Sequence, residues 1–392
     1  MENKMKYDFD QVHERRGTSS LKWDALESRY GDKDLLPLWV ADMDFKPPAE
    51  VVESVVKRAQ HGIYGYPAMP GDYFAAAADW ITKHHLWQIK PEWIVHTPGV
   101  VIALNVIIQR FSAPGDGVII QEPVYYPFMS SVTNNERKIL NNQLLFDGKK
   151  YRVDFDDFEK KAAAPEAKLF LFCSPHNPSS RVWTADELNR MADICLRHNL
   201  LIVSDEIHSD LIFPGFRHTP IASISPQIAE RTITCYAPSK TFNLPGLESS
   251  FVVISSDELR AAMKKQITAN ALGANIFGPL AHTTAYRHGE DWLAQVMKYI
   301  EANYLFTKTF FENELPSVKV IEPEGTYLLW LDFRSYNLSA SALRQKLRKE
   351  ARCALNEGDM FGSGGEGFAR LNIACPRSIL ALGLARIKEA FA

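Results

Sequence analysis

Between residues 117 and 254, short apolar runs alternate with longer amphipathic stretches, and this alternation constrains the chain more than any other feature. Strand-type runs separated by helical patterns are the signature of a mainly parallel sheet covered by helices. Strands are expected at Gly117–Gln121, Lys168–Cys173, Leu200–Asp205, Thr232–Tyr236 and Phe251–Ile254. Between the second and third, Thr184–Asn199 reads as a helix. Thr184 with Glu187 three residues on is a capping-box pattern, and Leu188, Met191, Ala192 and Cys195 follow at helical spacing.

Near residue 285 the character shifts. Asp291–Glu314 reads as one long helix, Thr326–Asp332 as a strand, Ser339–Ala351 as a helix and Ser378–Ala392 as a terminal helix. A chain of 392 residues exceeds the roughly 250–300 at which single cores stop growing. The expected division is a large domain over 51–285 and a smaller α+β domain over 286–392, which the N-terminal segment 1–50 joins.

The formal charge of −3 gives no general attraction to nucleic acid or to an anionic membrane. No apolar run approaches the roughly 18 residues needed to span a bilayer. Met1–Asp10 is polar and charged, without the pattern of a secretory signal, so the expected address is cytoplasmic. The five cysteines are scattered without CxxC spacing, which favours buried thiols over disulfides or a zinc site.

Ligands of such sheets bind in loops beyond the carboxyl ends of the strands. Three loops stand there. Ala237-Pro238-Ser239-Lys240-Thr241-Phe242-Asn243 carries a lysine among apolar neighbours, whose amine would become a nucleophile toward an aldehyde, with Ser239 and Thr241 as donors to a phosphate. Ser204-Asp205-Glu206-Ile207-His208 carries an aspartate suited to holding a pyridine nitrogen protonated, and a histidine. In Ser174-Pro175-His176-Asn177-Pro178, Asn177 precedes a proline and would turn its amide into the cleft. Two further segments fit. Thr97-Pro98-Gly99-Val100-Val101 feeds a helix N-terminus, an anion cradle, and Tyr125 in Pro123–Pro127 offers a ring to stack on a flat cofactor. Each segment taken alone is better explained as a structural turn, cap or packing contact.

Their order and spacing together resemble the fold-type-I pyridoxal-phosphate enzymes of the class I/II aminotransferase superfamily, most closely the cystathionine β-lyase (cysteine-S-conjugate β-lyase) branch. The resemblance also rests on Ser-Leu-Lys-Trp-Asp (20–24), Trp-Val-Ala-Asp-Met-Asp-Phe (39–45), Gly-Tyr-Pro (65–67), Glu-Gly-Thr-Tyr (324–327) and Gly-Phe-Ala-Arg-Leu-Asn (367–372). It implies an α/β fold whose large domain holds a mainly parallel seven-stranded sheet between helices. It also implies pyridoxal 5'-phosphate, joined to Lys240 as a Schiff base. Asp205 would pair with the ring nitrogen, Asn177 would contact the ring hydroxyl and Tyr125 would stack on the ring. His208 would lie beside the cofactor, while Val100, Val101, Ser239 and Tyr66 would hold its phosphate. Tyr66 would reach in from a second subunit, making the active unit a homodimer. Arg370 would grip the substrate carboxylate and Tyr126 would line the substrate side.

The implied reaction is β-elimination from cystathionine or a related S-conjugate. Transamination is the alternative, and a non-catalytic regulator on the same fold is the rival from another class. Asp42 and Asp44 fit either the pocket entrance or turn caps. Two departures stand out. Ser179 and Ser180 replace glycines common in relatives, and Glu248 stands where aminotransferases usually present an arginine, so it is expected to point away from the phosphate.

Overall fold

The computed structural model describes residues 7–392. Its large sheet has seven strands, in the spatial order Ile94–Thr97, Ser250–Val253, Thr232–Tyr236, Leu201–Asp205, Ala167–Cys173, Gly117–Ile120 and Lys138–Asn141. Ser250–Val253 runs antiparallel to both neighbours, and every other adjacent pair is parallel. The five strands expected between residues 117 and 254 are all present in this sheet, with ends shifted by at most one residue. The two that sequence reading missed, Ile94–Thr97 and Lys138–Asn141, form the sheet edges. They carry His96, Thr97, Lys138 and Asn141, so no continuous apolar run marks them.

Side chains of the central strands alternate between two cores. Leu169 and Leu171 pack with Leu104, Ile107 and Val203, whereas Phe170 and Phe172 pack with Leu188, Met191 and Ile202. Period-two alternation with apolar residues on both faces demands helices on both sides. One of these is Ala185–Arg197, whose capping box is complete: Thr184 Oγ1 accepts from Glu187 N at 3.2 Å, and Glu187 Oε2 accepts from Thr184 N at 2.9 Å.

A second, antiparallel sheet runs Lys319–Val320, Leu328–Asp332, Phe368–Asn372, Asn356–Glu357. Helices Glu290–Glu314 and Arg377–Phe391 pack against one another beside it. The strand expected from Thr326 begins instead at Leu328, because Thr326 has φ 65° and a left-handed residue does not extend a pleated strand. The helix expected over Ser339–Ala351 is α-helical only across Ala340–Gln345 and then widens to a π-turn at Lys346–Glu350. Leu36–Pro37 pairs with Cys353–Ala354, so the N-terminal segment is tied to the C-terminal part of the chain. Among the described residues all five cysteines are buried and unpaired, and no helix is long and apolar enough to cross a membrane.

Candidate active site

Strand register brings three loops into a row. Cys173 pairs with Asp205, and Asp205 with Cys235, so the chains leaving these strands emerge side by side at one edge of the sheet. There a cavity of about 280 Å³ is lined by Val100, Val101, Tyr125, Asn177, Asp205, His208, Ser239 and Lys240, together with backbone and small side chains such as Ala41, Gly99 and Ala237. Eight of the expected site residues thus converge from five separate segments.

Lys240 sits on the single turn Pro238–Thr241 that follows its strand, and its Nζ donates to Ala41 O at 2.6 Å. Burial against apolar walls pushes the amine down to about 8, opposed by the attraction of Asp42 and Asp205. Asp205, the last residue of its strand, is buried and accepts a hydrogen bond from Ile207 N at 3.2 Å. Burial raises its carboxyl to about 7, although the Ile207 N–H and Lys240 favour the anion. His208 is buried, and burial holds it neutral, far below its usual value; its Nδ1 has no hydrogen-bond partner among the described residues. Burial likewise pushes the Tyr125 phenol up.

Arg370 stands behind Asn177. Its Nη1 donates to Asn177 Oδ1 at 2.8 Å, and its Nη2 donates to Asn356 Oδ1 at 2.6 Å and Trp39 O at 2.9 Å. With Oδ1 occupied, Asn177 has its Nδ2 donor left for a ligand. Arg370 Nε is buried without a partner among the described residues, an orphaned donor that native proteins rarely leave. Desolvation pulls this guanidinium below its ordinary value, yet an arginine stays charged.

On the wall of the same cavity, helix Val100–Phe111 begins without a side-chain cap among the described residues. Its first intrahelical bond runs from Ala103 N to Gly99 O at 2.9 Å, so the N–H groups of Val100, Val101 and Ile102 are left at a cavity-lining helix N-terminus. These orphan donors and the helix dipole favour an anion. Ser239 joins them on the cavity wall, but Thr241 does not: its hydroxyl donates at 2.7 Å to the carboxylate of Asp210, whose side chain is 5% exposed. Glu248, expected to point away, is an exposed residue that contributes to the cavity wall.

Three expected residues do not line the cavity: Tyr126, Tyr66, and Arg370, which reaches it only through its bond to Asn177. Tyr126 packs beside Tyr125, with ring centroids 5.3 Å apart, and is partly exposed. Tyr66 is fully exposed on a different surface depression with Ile63, Pro67 and Pro279. Asp42 and Asp44 are neither a free entrance nor turn caps: both are ion-paired with Arg15 and Lys22, and Asp44 is buried. Sequence reasoning gave no role to Tyr327, whose hydroxyl donates to Ala41 O at 2.9 Å, or to Asn243, which bonds Met43 N, Met43 O and Phe45 O. Both lie within the quoted motifs, which was the signal available.

The donor set has a definite chemistry: an anion cradle, an amide donor, a buried carboxylate and an amine with lowered pKa, all facing one cavity. This suits a phosphorylated aromatic aldehyde bearing a ring nitrogen and a ring oxygen. The profile of the family described as aminotransferase class I and II matches residues 33–387. The chain is 44% identical to cystathionine beta-lyase PatB of Bacillus subtilis (strain 168), across 97% of this chain and 99% of that protein. The crystal structure of cystalysin from Treponema denticola, which contains pyridoxal 5'-phosphate, superposes with a TM-score of 0.95 at 40% identity, covering 98% of this chain and 99% of that one. The PLP-bound C-S lyase of Staphylococcus hominis gives 0.92 at 30% identity, covering 99% of each chain. By sequence and by fold alike, this chain belongs to the aminotransferase class I and II family.

Proposed function

We propose that the protein is a pyridoxal-phosphate-dependent carbon–sulfur β-lyase that cleaves cystathionine or related cysteine S-conjugates to pyruvate, ammonia and a thiol. The observation that carries this reading is the Lys240 amine, lowered to about 8, in one cavity with Asp205 and Asn177. Full-length similarity to proteins named as C–S lyases supports the choice of elimination.

When bound, pyridoxal phosphate condenses its aldehyde with an amine and draws electrons away from the amino-acid Cα. The chain's own residues then divide the work. Lys240 would hold the cofactor and, with its Nζ neutral, would take the Cα proton and return a proton to the departing sulfur. Asp205 as an anion would keep a proton on the ring nitrogen, and Asn177 Nδ2 would donate to the ring oxygen. Tyr125 would cover the ring face, His208 would flank it, and Val100, Val101 and Ser239 would hold the phosphate. Arg370 supplies a donor to the substrate carboxylate, for which a planar guanidinium is well shaped. Tyr126 faces the substrate's side chain.

The same reading makes the active unit a homodimer, with the partner subunit's Tyr66 completing the phosphate site. It is supported by the exposure of Ile63, Tyr64 and Tyr66 along one segment, an apolar patch that a second copy would cover. We keep the division into 51–285 and 286–392 with 1–50 joining the latter, supported by the Leu36–Pro37 pairing, and a cytoplasmic address, supported by five free buried thiols.

The test is a visible spectrum of the pure protein followed by addition of cystathionine without any keto acid. The expected result is absorption from a lysine-bound cofactor and one pyruvate per cystathionine consumed. Turnover only when a keto acid is supplied would assign transamination instead.

A further inference from the structure

We propose that Ser180 is a positioning residue: its hydroxyl ties the loop carrying Asn177 to the sheet carrying Arg370, and so sets the placement of the two groups that meet the cofactor and the substrate carboxylate. The inference rests on the reading of the site given above. Ser180 and Thr326 are both buried, and both hold φ in the left-handed region, at 58° and 65°. Serine is uncommon in that conformation and a β-branched threonine is an outlier, whereas glycine adopts it freely. Each hydroxyl makes hydrogen bonds that glycine would lack. Ser180 Oγ donates to Leu328 O, and Thr326 Oγ1 lies 2.9 Å from Ser180 Oγ while accepting from Leu328 N at 3.0 Å.

These bonds close a ring through the molecule. From Leu328 the strand Leu328–Asp332 pairs with Phe368–Asn372, and Trp330 stands opposite Arg370. Arg370 Nη1 then returns to Asn177 Oδ1 at 2.8 Å, three residues before Ser180. The loop has other anchors: Arg181 Nε and Val182 N both bind Glu324 Oε2, at 3.1 and 2.7 Å, and Glu324 N donates to Ser180 O at 2.9 Å. The loop therefore stays attached without the Ser180 hydroxyl. What the hydroxyl adds is registration of the loop against the Leu328 strand, at the end of the ring opposite the Arg370–Asn177 contact.

Two variants separate the hydroxyl from the backbone strain. Ser180→Ala removes the hydroxyl and keeps a left-handed non-glycine residue; Ser180→Gly removes both. For each, and for the unmodified protein, three quantities are measured. They are the Kd of pyridoxal phosphate for the cofactor-free protein, the Kd of L-alanine by spectral titration of the loaded protein, and Tm. L-alanine carries the carboxylate and has no leaving group. Both variants are expected to weaken L-alanine binding by about 5-fold, the change that one ordinary hydrogen bond corresponds to. Both should weaken cofactor binding as well, while Tm falls for Ser180→Ala and not for Ser180→Gly. Unchanged affinities in both variants would overturn the proposal, as would an affinity loss confined to the variant with the lower Tm. If the unmodified protein binds no pyridoxal phosphate, the functional reading fails first, and that outcome is visible before any variant is compared.

Discussion

Two clusters of buried ionisable groups border the Trp39–Phe45 segment, and they are built on opposite rules. In the first, Lys22 has no exposed surface, and its Nζ lies 2.6 Å from Asp44 Oδ2 and 3.6 Å from Asp42 Oδ1. Arg15 binds the same carboxylates at 2.7 and 2.6 Å, and Trp23 Nε1 donates to Asp44 at 3.1 Å. Burial would lower the Lys22 pKa and raise that of Asp44, but the pairing outweighs it and drives both groups further into their charged forms. In the second cluster, Lys240 and Asp205 have no comparable ion pair among the described residues, burial wins, and both shift toward neutrality. One chain has thus compensated its buried charges in one place and left them uncompensated in another. Uncompensated groups at a cavity are the ones a ligand's charges would complete, which separates the functional cluster from the structural one on physical grounds.

The contrast is most sharply tested by removing one lysine from each cluster. Lys240→Ala should reduce turnover by about 10⁴-fold or more, since nucleophile and proton carrier vanish together. The visible band of the lysine-bound cofactor should disappear, while the fold is retained, because a desolvated amine has been removed. Lys22→Met should do the reverse. Stripping one partner from a buried ion pair typically costs about 3–5 kcal/mol, and here two carboxylates would be left to share Arg15 as their one cation, with Asp44 Oδ2 losing its ammonium partner. Urea unfolding of both variants measures the difference, and equal destabilisation by the two would erase the distinction drawn between the clusters.

How much of this was legible beforehand depends on how local each interaction is. The central strands were legible because burial on both faces writes continuous apolar runs, and Asn177, Asp205 and Lys240 could be placed because each lies at or just after such a run. Arg370 and Asn177, 193 residues apart, are joined by a hydrogen bond that no local pattern announces. Asp42 and Asp44 could be read only as entrance or cap, since their partners Arg15 and Lys22 lie some twenty to thirty residues earlier in the chain. Thr241 had the right type and position for a phosphate, yet Asp210 from a neighbouring loop captures its hydroxyl. The left-handed backbone at Ser180 and Thr326 was hidden because neither residue type favours it.

The smallest expected effect concerns Asp205 in the cofactor-free protein, and its sign is set by linkage. The folded carboxyl titrates at about 7, above its ordinary value of 3.8, so as pH rises the unfolded chain releases this proton first. Across that window the folded state binds more protons than the unfolded one, and stability falls with rising pH until the penalty is complete above about 7. Asp205→Asn removes the titration. The variant should match the unmodified protein near pH 4 and exceed it in stability by up to about 4 kcal/mol near pH 8. Urea midpoints at the two pH values read this out, and the gain should shrink once pyridoxal phosphate is added, because the cofactor's ring nitrogen supplies the carboxylate with its missing partner. A gain that is independent of pH would mean that Asp205 is not held against its own charge, and would move it into the compensated class with Asp44.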